Sequence, residues 1–258
     1  MTKKGVLTLG VTLIVALLAG LTASCKKEVM VEGGFSVAEG RQVKFATGNL
    51  MYDKLQKKFS IASDPTLVVG DVNTEIANPN ALVTIDLFGW GTGDDPLRIS
   101  TNNADYTTYT EWGSKVGGNW RTLTRTEWQY MLKKRPDARK KYAYGSVDNK
   151  AGVIILPDIW TMPDSCVFLP GMNHPDSNRY TPSLWRKMSA NGAVFLPATG
   201  YREGKSYKSA SFGRYWSSTE DFANGAWGFA FTNLGEIGVM CYDSRYPGYA
   251  VRLVQDVQ

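Results

Sequence analysis

Two segments of this chain carry apolar residues at helical spacing. Because these segments are so few, the fold can contain little helix, and this limits the fold more than any other feature. Thr124 and Glu127 form a capping-box signature, and an apolar face continues from there to about Arg135. Thr181 before Pro182 marks a second helix start. The apolar faces consist of Trp128, Met131 and Leu132 in the first segment and Leu184, Trp185 and Met188 in the second. The sequence therefore predicts two short helices.

The rest of the chain favours short strands separated by long loops. Apolar and polar residues alternate in RQVKFAT, around Val43 and Phe45, and in KFSIA, around Phe59 and Ile61. No repeat or Pro/Ser-rich linker interrupts residues 34–255, so we predict one α+β domain with mostly antiparallel strands. Further strands are predicted at Gly152–Leu156, Ala193–Leu196, Tyr215–Ser217, Ala226–Phe231, Ile237–Cys241 and Tyr249–Val254.

The first residues have the order of a bacterial secretory signal. Lys3 and Lys4 precede an uncharged stretch, Gly5–Ser24, that ends in small residues before Cys25. The tetrapeptide TASC resembles a lipobox, which implies that Cys25 is lipidated and becomes the mature N-terminus. The alternative is an uncleaved membrane anchor, since about 20 apolar residues can span a bilayer. We expect the remainder to lie in the cell envelope, as an outer-membrane lipoprotein, and surface exposure stays open.

The expected organisation is a signal peptide at 1–25, a tether at 26–36 and a domain at 37–258. Loss of Lys3 and Lys4 with the signal leaves 27 basic and 24 acidic residues, a net charge of +3. This balance gives no indication of nucleic-acid binding. The densest basic run, Lys133–Lys141, follows the first predicted helix, where cations suit the helix dipole; the alternative is an anion-binding patch.

Cysteine and histidine are too few to predict a catalytic metal centre. Cys166 and Cys241 remain after the signal, and they either form a disulfide or stay separate thiols. His174 is the single histidine, and we interpret it as a loop residue. We predict no cofactor, no bound metal and no enzymatic activity. Two acidic loops offer oxygens suited to calcium but too few carboxylates for a dedicated site: GDDP at 93–96, and Asp176 with Asn178.

The segment Gly213–Val254 has the composition of a contact surface. Its aromatic residues are interleaved with Asn, Ser and Gly, as in adaptable binding surfaces. The alternative is an ordinary hairpin with one solvated face. The candidate ligand-binding residues are Asp221, Phe222, Asn224, Trp227, Tyr242, Asp243, Arg245 and Tyr246. We assign five other tryptophans to the scaffold: Trp90, Trp120, Trp128, Trp160 and Trp216.

Seven blocks of this chain resemble, in this order, the Fibrobacter succinogenes major paralogous domain. They are FATGNLMYD, IDLFGWGTG, NWRTLTRTEW, GVIILPDIW, ANGAVFLPATGYR, YWSSTE and YAVRLV. The resemblance covers most of residues 35–255 and implies a C-type lectin-like fold, in the branch of the formylglycine-generating enzymes. Many similar proteins are targets of diversity-generating retroelements, and the segment rewritten in them corresponds here to Asp221–Tyr249.

The chain departs from the catalytic proteins of that branch. Formylglycine-generating enzymes use a close pair of C-terminal cysteines, whereas only Cys241 lies in that region here. The related iron enzymes need three histidines, and the Glu-Pro-Asn or Gln-Pro-Asp motif of sugar-binding lectins is absent. We therefore expect a non-enzymatic lipoprotein that binds a protein or a glycan. The alternatives are an accessory subunit of a surface appendage and a degenerate oxidase.

We predict that Cys25 carries the lipid. A fatty-acid probe should label the wild-type protein in cells and should not label Cys25→Ser, because the thiol is the point of attachment. Cys166→Ser is the matched control and should be labelled like the wild type. Equal labelling of the wild type and Cys25→Ser would contradict the prediction.

Overall fold

The computed structural model describes residues 30–257 except 174–175, 209–211, 223, 235 and 243, with backbone alone at 240–242. The helices in this part are α1 (Gly113–Val116), α2 (Arg125–Lys133) and α3 (Pro182–Ala190), and single 3-10 segments lie at Gly70–Ala77, Asn103–Tyr106 and Ala138–Lys140. The first strands are β1 (Phe35–Ala38), β2 (Arg41–Phe45), β3 (Leu50–Asp53), β4 (Lys58–Ile61), β5 (Thr84–Ile85), β6 (Trp120–Thr122), β7 (Tyr142–Val147) and β8 (Lys150–Ile155). The remaining strands are β9 (Arg179–Tyr180), β10 (Val194–Pro197), β11 (Tyr201–Glu203), β12 (Ser206–Lys208), β13 (Phe212–Glu220), β14 (Ala226–Thr232), β15 (Ile237–Tyr242) and β16 (Leu253–Asp256).

The protein is a mixed α+β structure built from small sheets, as the sequence predicts. The described strands pair in the orders β1-β2-β16-β6, β10-β8-β7-β9, β11-β12, β13-β14-β15 and β4-β3-β5. Pairing between these strands is antiparallel except between β7 and β9. Because β16 pairs with β2 and with β6, the C-terminus closes a sheet that begins at the N-terminal side of the domain.

Both predicted helices form, and each begins at its predicted cap. The Thr124 N–H donates to Glu127 Oε2 at 2.8 Å, and Thr124 Oγ1 accepts from the Glu127 N–H at 3.3 Å. At α3, Thr181 Oγ1 accepts from the Leu184 N–H at 3.3 Å, with Pro182 in the first helical position. Capping satisfies backbone donors within a few residues, which explains why both starts are visible in the sequence.

The sheet β13-β14-β15 lies between two apolar clusters. Phe229 and Phe231 on β14 belong to one cluster, in which Trp128 of α2 stacks on Phe229 with ring centroids 4.6 Å apart. Ala226 and Ala230 belong to the other cluster, together with the tryptophans at positions 90, 112 and 216. Alternate residues of β14 are therefore buried on opposite faces, and this sheet is the interior framework of the C-terminal segment.

The scaffold assignment is confirmed for the fully buried tryptophans. Trp90 Nε1 donates to the Ser217 carbonyl at 2.9 Å, and Trp216 Nε1 donates to the Phe88 carbonyl at 2.7 Å. Trp128 is equally buried, but its Nε1 has no hydrogen-bond partner among the described residues. Trp120 and Trp160 are half-buried. These two indole hydrogen bonds thus tie residues 88–90 to β13, which lies about 130 residues further along the chain.

Two predicted boundaries are wrong. Tyr249–Val254 is not one strand, because its backbone changes partner at almost every residue: Tyr249 pairs with Phe88, and Ala250 with Tyr215. Regular pairing starts only at Leu253. The tether also ends earlier than position 36, since Phe35 starts β1 and is 1% exposed.

The basic run after α2 is partly interior, which corrects its interpretation as a solvated helix end. Arg135 is buried, and its Nη1 lies 3.0 Å from Asp158 Oδ1. Burial raises the pKa of Asp158, but hydrogen bonds from Ser36 and Gln42 and the Arg135 charge lower it overall. The same carboxylate accepts from the Ser36 N–H at 2.6 Å, so this ion pair fixes the N-terminal strand to the domain.

Arg252 is buried and donates only to neutral oxygens in the hydrogen bonds that the structure shows. Its Nη1 lies 3.1 Å from both the Ala46 and Thr47 carbonyls, and its Nη2 lies 2.9 Å from the Phe195 carbonyl. Its Nε donates to Asn49 Oδ1 at 3.1 Å. Burial lowers the pKa of Arg252 to about 10, so the guanidinium stays protonated at neutral pH. One side chain thereby joins the loop after β2 to β10 and to the C-terminal segment.

We predict that Arg252→Leu lowers the free energy of unfolding by about 3 kcal/mol or more, because several buried oxygens lose their donor at once. Arg186→Leu, on the exposed face of α3, should change it by less than about 0.5 kcal/mol. Urea unfolding followed by circular dichroism measures both. Equal stability of the two variants would show that Arg252 does not hold the loops.

Candidate ligand-binding surface

The most exposed apolar side chain of the C-terminal segment lies in the turn that joins β13 to β14, residues 221–225, of which the structure describes 221, 222, 224 and 225. Glu220 pairs with Ala226 at the base of this turn, and the Asp221 N–H donates to the Gly225 carbonyl at 2.9 Å. Phe222 stands at its tip with its side chain fully exposed. At the other end of β14, the turn to β15 presents Leu234, which is 85% exposed. The turns at the two ends of β14 thus each present one exposed apolar side chain.

Arg245 is buried beside the 221–225 turn and donates hydrogen bonds to it. It does not belong to the exposed surface, which corrects its assignment as a ligand-binding residue. It is 6% exposed, and its guanidinium carbon lies 4.5 Å from the centroid of the Trp90 ring. Its Nε donates to the Gly225 carbonyl at 2.9 Å, and its Nη2 lies 3.3 Å from Glu220 Oε2. These donors are occupied within the protein.

Asn103 holds the same turn from a distant part of the chain. Its side-chain carbonyl accepts from the Arg245 N–H at 2.6 Å, and its amide donates to the Asn224 carbonyl. Asn224 has φ of 64°, in the left-handed region that asparagine tolerates better than most residues. The exposed turn is therefore fixed by side chains that lie outside it, and its own exposed side chains are free to contact a ligand.

Trp227 follows the turn as the second residue of β14 and is half-buried. The guanidinium carbon of Arg125 lies 3.4 Å from the centroid of its ring. Arg125 is the first residue of α2, and its N–H donates to Thr219 Oγ1 at 3.0 Å. The indole is thus covered on one face by a cation and remains partly exposed at the base of the turn.

The other candidate residues divide between the edge of this surface and the part of the chain outside the description. Tyr246 is half-buried, and its hydroxyl donates to Glu203 Oε1 at 3.1 Å, a bond that raises the pKa of Tyr246. Asp221 is half-buried at the start of the turn. The Tyr242 backbone pairs with Ala226, whereas the Tyr242 side chain and Asp243 lie outside the described residues, as Cys25 does.

Sequence interpretation missed Arg125 and Asn103, both of which approach the turn from other elements. Asn103 carries no local sign of this role. Arg125 carries a weak one, since a cation at the first position of a helix opposes the helix dipole and has to be stabilised by something else. Its partner, Trp227, is about 100 residues away in sequence, so the pairing is visible only in the fold.

The loops considered for calcium have other roles. Asp94 pairs with Lys115, and Asp95 pairs with Arg98 at 2.9 Å. Asn178 is buried, and its Oδ1 accepts from the Leu169 N–H at 2.9 Å. Across the described residues, no three His, Cys, Asp or Glu side chains form a cluster suited to a metal ion, and His174 lies outside the description.

Cys166 is a free thiol, whereas the side chain of Cys241, its partner in the alternative of a disulfide, lies outside the described residues. The Cys166 Sγ lies 3.8 Å from the Leu184 carbonyl, to which it donates. The residue is half-buried beside the apolar cluster of α3, as expected of a small packed side chain.

A cleft of about 620 Å³ lies elsewhere on the domain, between the N-terminal segment, β2 and the end of α3. Of the candidate residues that the structure describes, none lines this cleft. It is therefore separate from the 221–225 turn. Its walls combine aromatic and charged side chains: Glu32, Phe35, Lys44, Phe45, Trp185, Arg186 and Phe195.

Comparison with known proteins adds no relative. No model of a protein family matches the chain, and neither the curated proteins nor the solved structures contain a significant match. In the described part of the chain, no helix is both long enough and apolar enough to cross a membrane. The functional interpretation therefore depends on the chain's own residues.

We predict that Arg245→Lys loosens the turn without unfolding the domain. Lysine keeps the charge but not the forked donors, so the turn should lose one or two hydrogen bonds of about 1 kcal/mol each. Amide exchange in residues 221–225 should then rise about tenfold. Residues 232–236 provide the internal control, since Arg245 makes no described contact there. Unchanged exchange at 221–225 would contradict the proposed clamp.

Proposed function

We propose that this protein is an envelope-anchored lipoprotein that binds a protein or a glycan through the turn 221–225 and the side chains around it. The observation that carries the proposal is the fully exposed Phe222 on a turn fixed by Arg245 and Asn103. An exposed aromatic ring contributes nothing to the core. When the backbone beneath it is held in place, it loses little conformational entropy on binding.

The proposed fold is C-type lectin-like. Its support is the seven sequence blocks, together with two capped helices and many short antiparallel strands. The block NWRTLTRTEW contains the cap and first turn of α2, and the blocks YWSSTE and YAVRLV enclose the proposed surface. On this interpretation, the last part of the chain combines framework strands with one exposed turn.

Binding is proposed in preference to catalysis because the chain has a single histidine and no close cysteine pair. Anchoring is proposed from the signal-like segment before Cys25. The described chain already contacts β2 at Met30, whose Sδ accepts from Gln42 Nε2 at 3.5 Å, and at Val31, whose N–H donates to Gln42 Oε1 at 2.8 Å, which leaves residues 26–29 as a tether after Cys25. A tether of that length holds the domain close to the membrane.

Diversification of Asp221–Tyr249 is proposed only for its exposed positions. Phe229, Phe231 and Tyr249 lie within this segment, yet all three are buried and pack in the two apolar clusters. Large changes there would cost about 3 to 5 kcal/mol each. Variation compatible with folding is therefore expected at residues such as Phe222 and Asn224.

The test compares the two exposed ends of β14. Phe222 and Leu234 are each replaced by the photocrosslinker p-benzoylphenylalanine in the full-length lipoprotein, expressed in its native envelope. We expect a discrete cross-linked partner at position 222 and none at position 234, because Arg245 and Asn103 hold the first turn, whereas among the described residues the second turn is bonded to its own Thr232.

Alanine variants supply the control for folding. Phe222→Ala and Leu234→Ala should each change the free energy of unfolding by less than about 0.5 kcal/mol, since both side chains are exposed. Once the cross-link has identified the partner, its capture is measured by affinity purification without a crosslinker. Phe222→Ala should abolish this capture, and Leu234→Ala should preserve it. Identical cross-links at both positions would indicate non-specific apolar contact and contradict the proposal.

A further inference from the structure

Arg125 and Trp227 form a stacked pair at the base of the exposed turn. The guanidinium carbon lies 3.4 Å from the ring centroid, a distance at which the planar cation rests on the aromatic face. Both residues are half-buried. The backbone of Arg125 is fixed to β13 through Thr219, so the plane and the position of the guanidinium are set by two separate contacts.

The charge of Arg125 has no carboxylate partner within the part of the chain that the structure describes. The nearest acid in sequence is Glu127, which already accepts from Arg41 at 3.1 Å and from Arg121 at 2.8 and 2.9 Å. Hydrogen bonds from Arg121 and Thr124 lower the pKa of Glu127 although desolvation by burial raises it. The Nε of Arg125 is buried and has no hydrogen-bond partner among the described residues.

A stacked arginine without a partner is suited to bind an anion. The ring covers one face of the guanidinium and Nε is buried, so the donors left for a ligand are those of Nη1 and Nη2, which match the two oxygens of a carboxylate or a sulfate ester. Lysine could not present the same geometry. Of the charged groups at this surface, Arg245 is already bonded to Glu220, which leaves Arg125 as the donor for a ligand.

The acidic side chains nearby limit how many charges such a ligand can carry. The Glu220 side chain is 69% exposed beside the turn, and Asp221 follows it. These carboxylates repel a ligand that is negative along its whole length, such as a nucleic acid or a polyacidic peptide. They tolerate a ligand with one acidic group among neutral, hydroxylated units.

We propose that the ligand is an acidic saccharide, with a carboxylate or sulfate held by Arg125 and the apolar face of a neighbouring sugar packed on Phe222. The exposed amide of Asn224 then faces the sugar hydroxyls. This inference rests on the proposed binding function and adds the chemical class of the ligand.

The experiment uses the full-length lipoprotein in detergent and a panel of defined probes. The panel contains uronate, sulfate-ester and sialic-acid oligosaccharides, each with its uncharged counterpart, and hexaglutamate as an acidic peptide. The wild type should bind at least one acidic saccharide about tenfold more tightly than its uncharged counterpart, the effect of one charge-assisted bidentate contact.

Two arginine variants with the same change in net charge separate local recognition from general attraction. Arg125→Gln should reduce the preference for the acidic saccharide to less than about twofold, whereas Arg186→Gln, exposed on α3, should retain it. If Arg125→Gln fails to fold, Arg125→Lys replaces it, and the preference should also fall because the planar fork is lost.

Three results would overturn the inference. The first is equal binding of acidic and uncharged saccharides by the wild type. The second is an equal loss in Arg125→Gln and Arg186→Gln. The third is hexaglutamate binding more tightly than every saccharide, which would assign an acidic peptide as the ligand. None of these affects the cross-link expected at position 222, so failure of this inference remains distinguishable from failure of the proposed function.

Discussion

The fold depends on hydrogen bonds from buried arginines to the carbonyls of its loops. A structure with short strands and long connections leaves many backbone oxygens without a partner in a helix or sheet, and burying them unpaired is costly. Arg252 donates to the loop after β2 and to β10, and Arg202 donates to the Gly204 and Arg98 carbonyls. The guanidinium is suited to this role because it carries five donors in one rigid plane.

A buried arginine also separates the residues that support the 221–225 turn from those that it exposes. Arg245 bonds to the Gly225 carbonyl and stacks on Trp90, so the conformation of the 221–225 turn is set by two buried residues. The Phe222 side chain therefore has no structural role. A surface built in this way accepts substitutions at its exposed positions, because the stability of the turn does not depend on them.

The sequence predicts the features that depend on contacts between residues close together in the chain, and it misses those that depend on distant residues. The helices were predictable because Thr124 and Thr181 cap them within three residues, and β14 was predictable because its pattern is local. Burial of Arg135 and Arg245 was not, since a charged side chain is usually exposed and its buried partners are distant in sequence. The sequence predicts a strand at Tyr215–Ser217, the middle of β13, but it gives no sign of the side chains of Arg245 and Asn103 that hold the turn after β13.

Recognition of an acid at this surface has to be short-ranged. Without its first 25 residues the chain carries a net charge of +3, and Glu220 and Asp221 lie beside the proposed contact, so no strong positive field draws an anion toward it. Selectivity then depends on the fit of one group to the plane of Arg125, which Trp227 holds in place. A contact of this kind is partly desolvated and is weakened less by salt than attraction between exposed charges. The stacked pair therefore favours a ligand chosen by geometry over one attracted by charge alone.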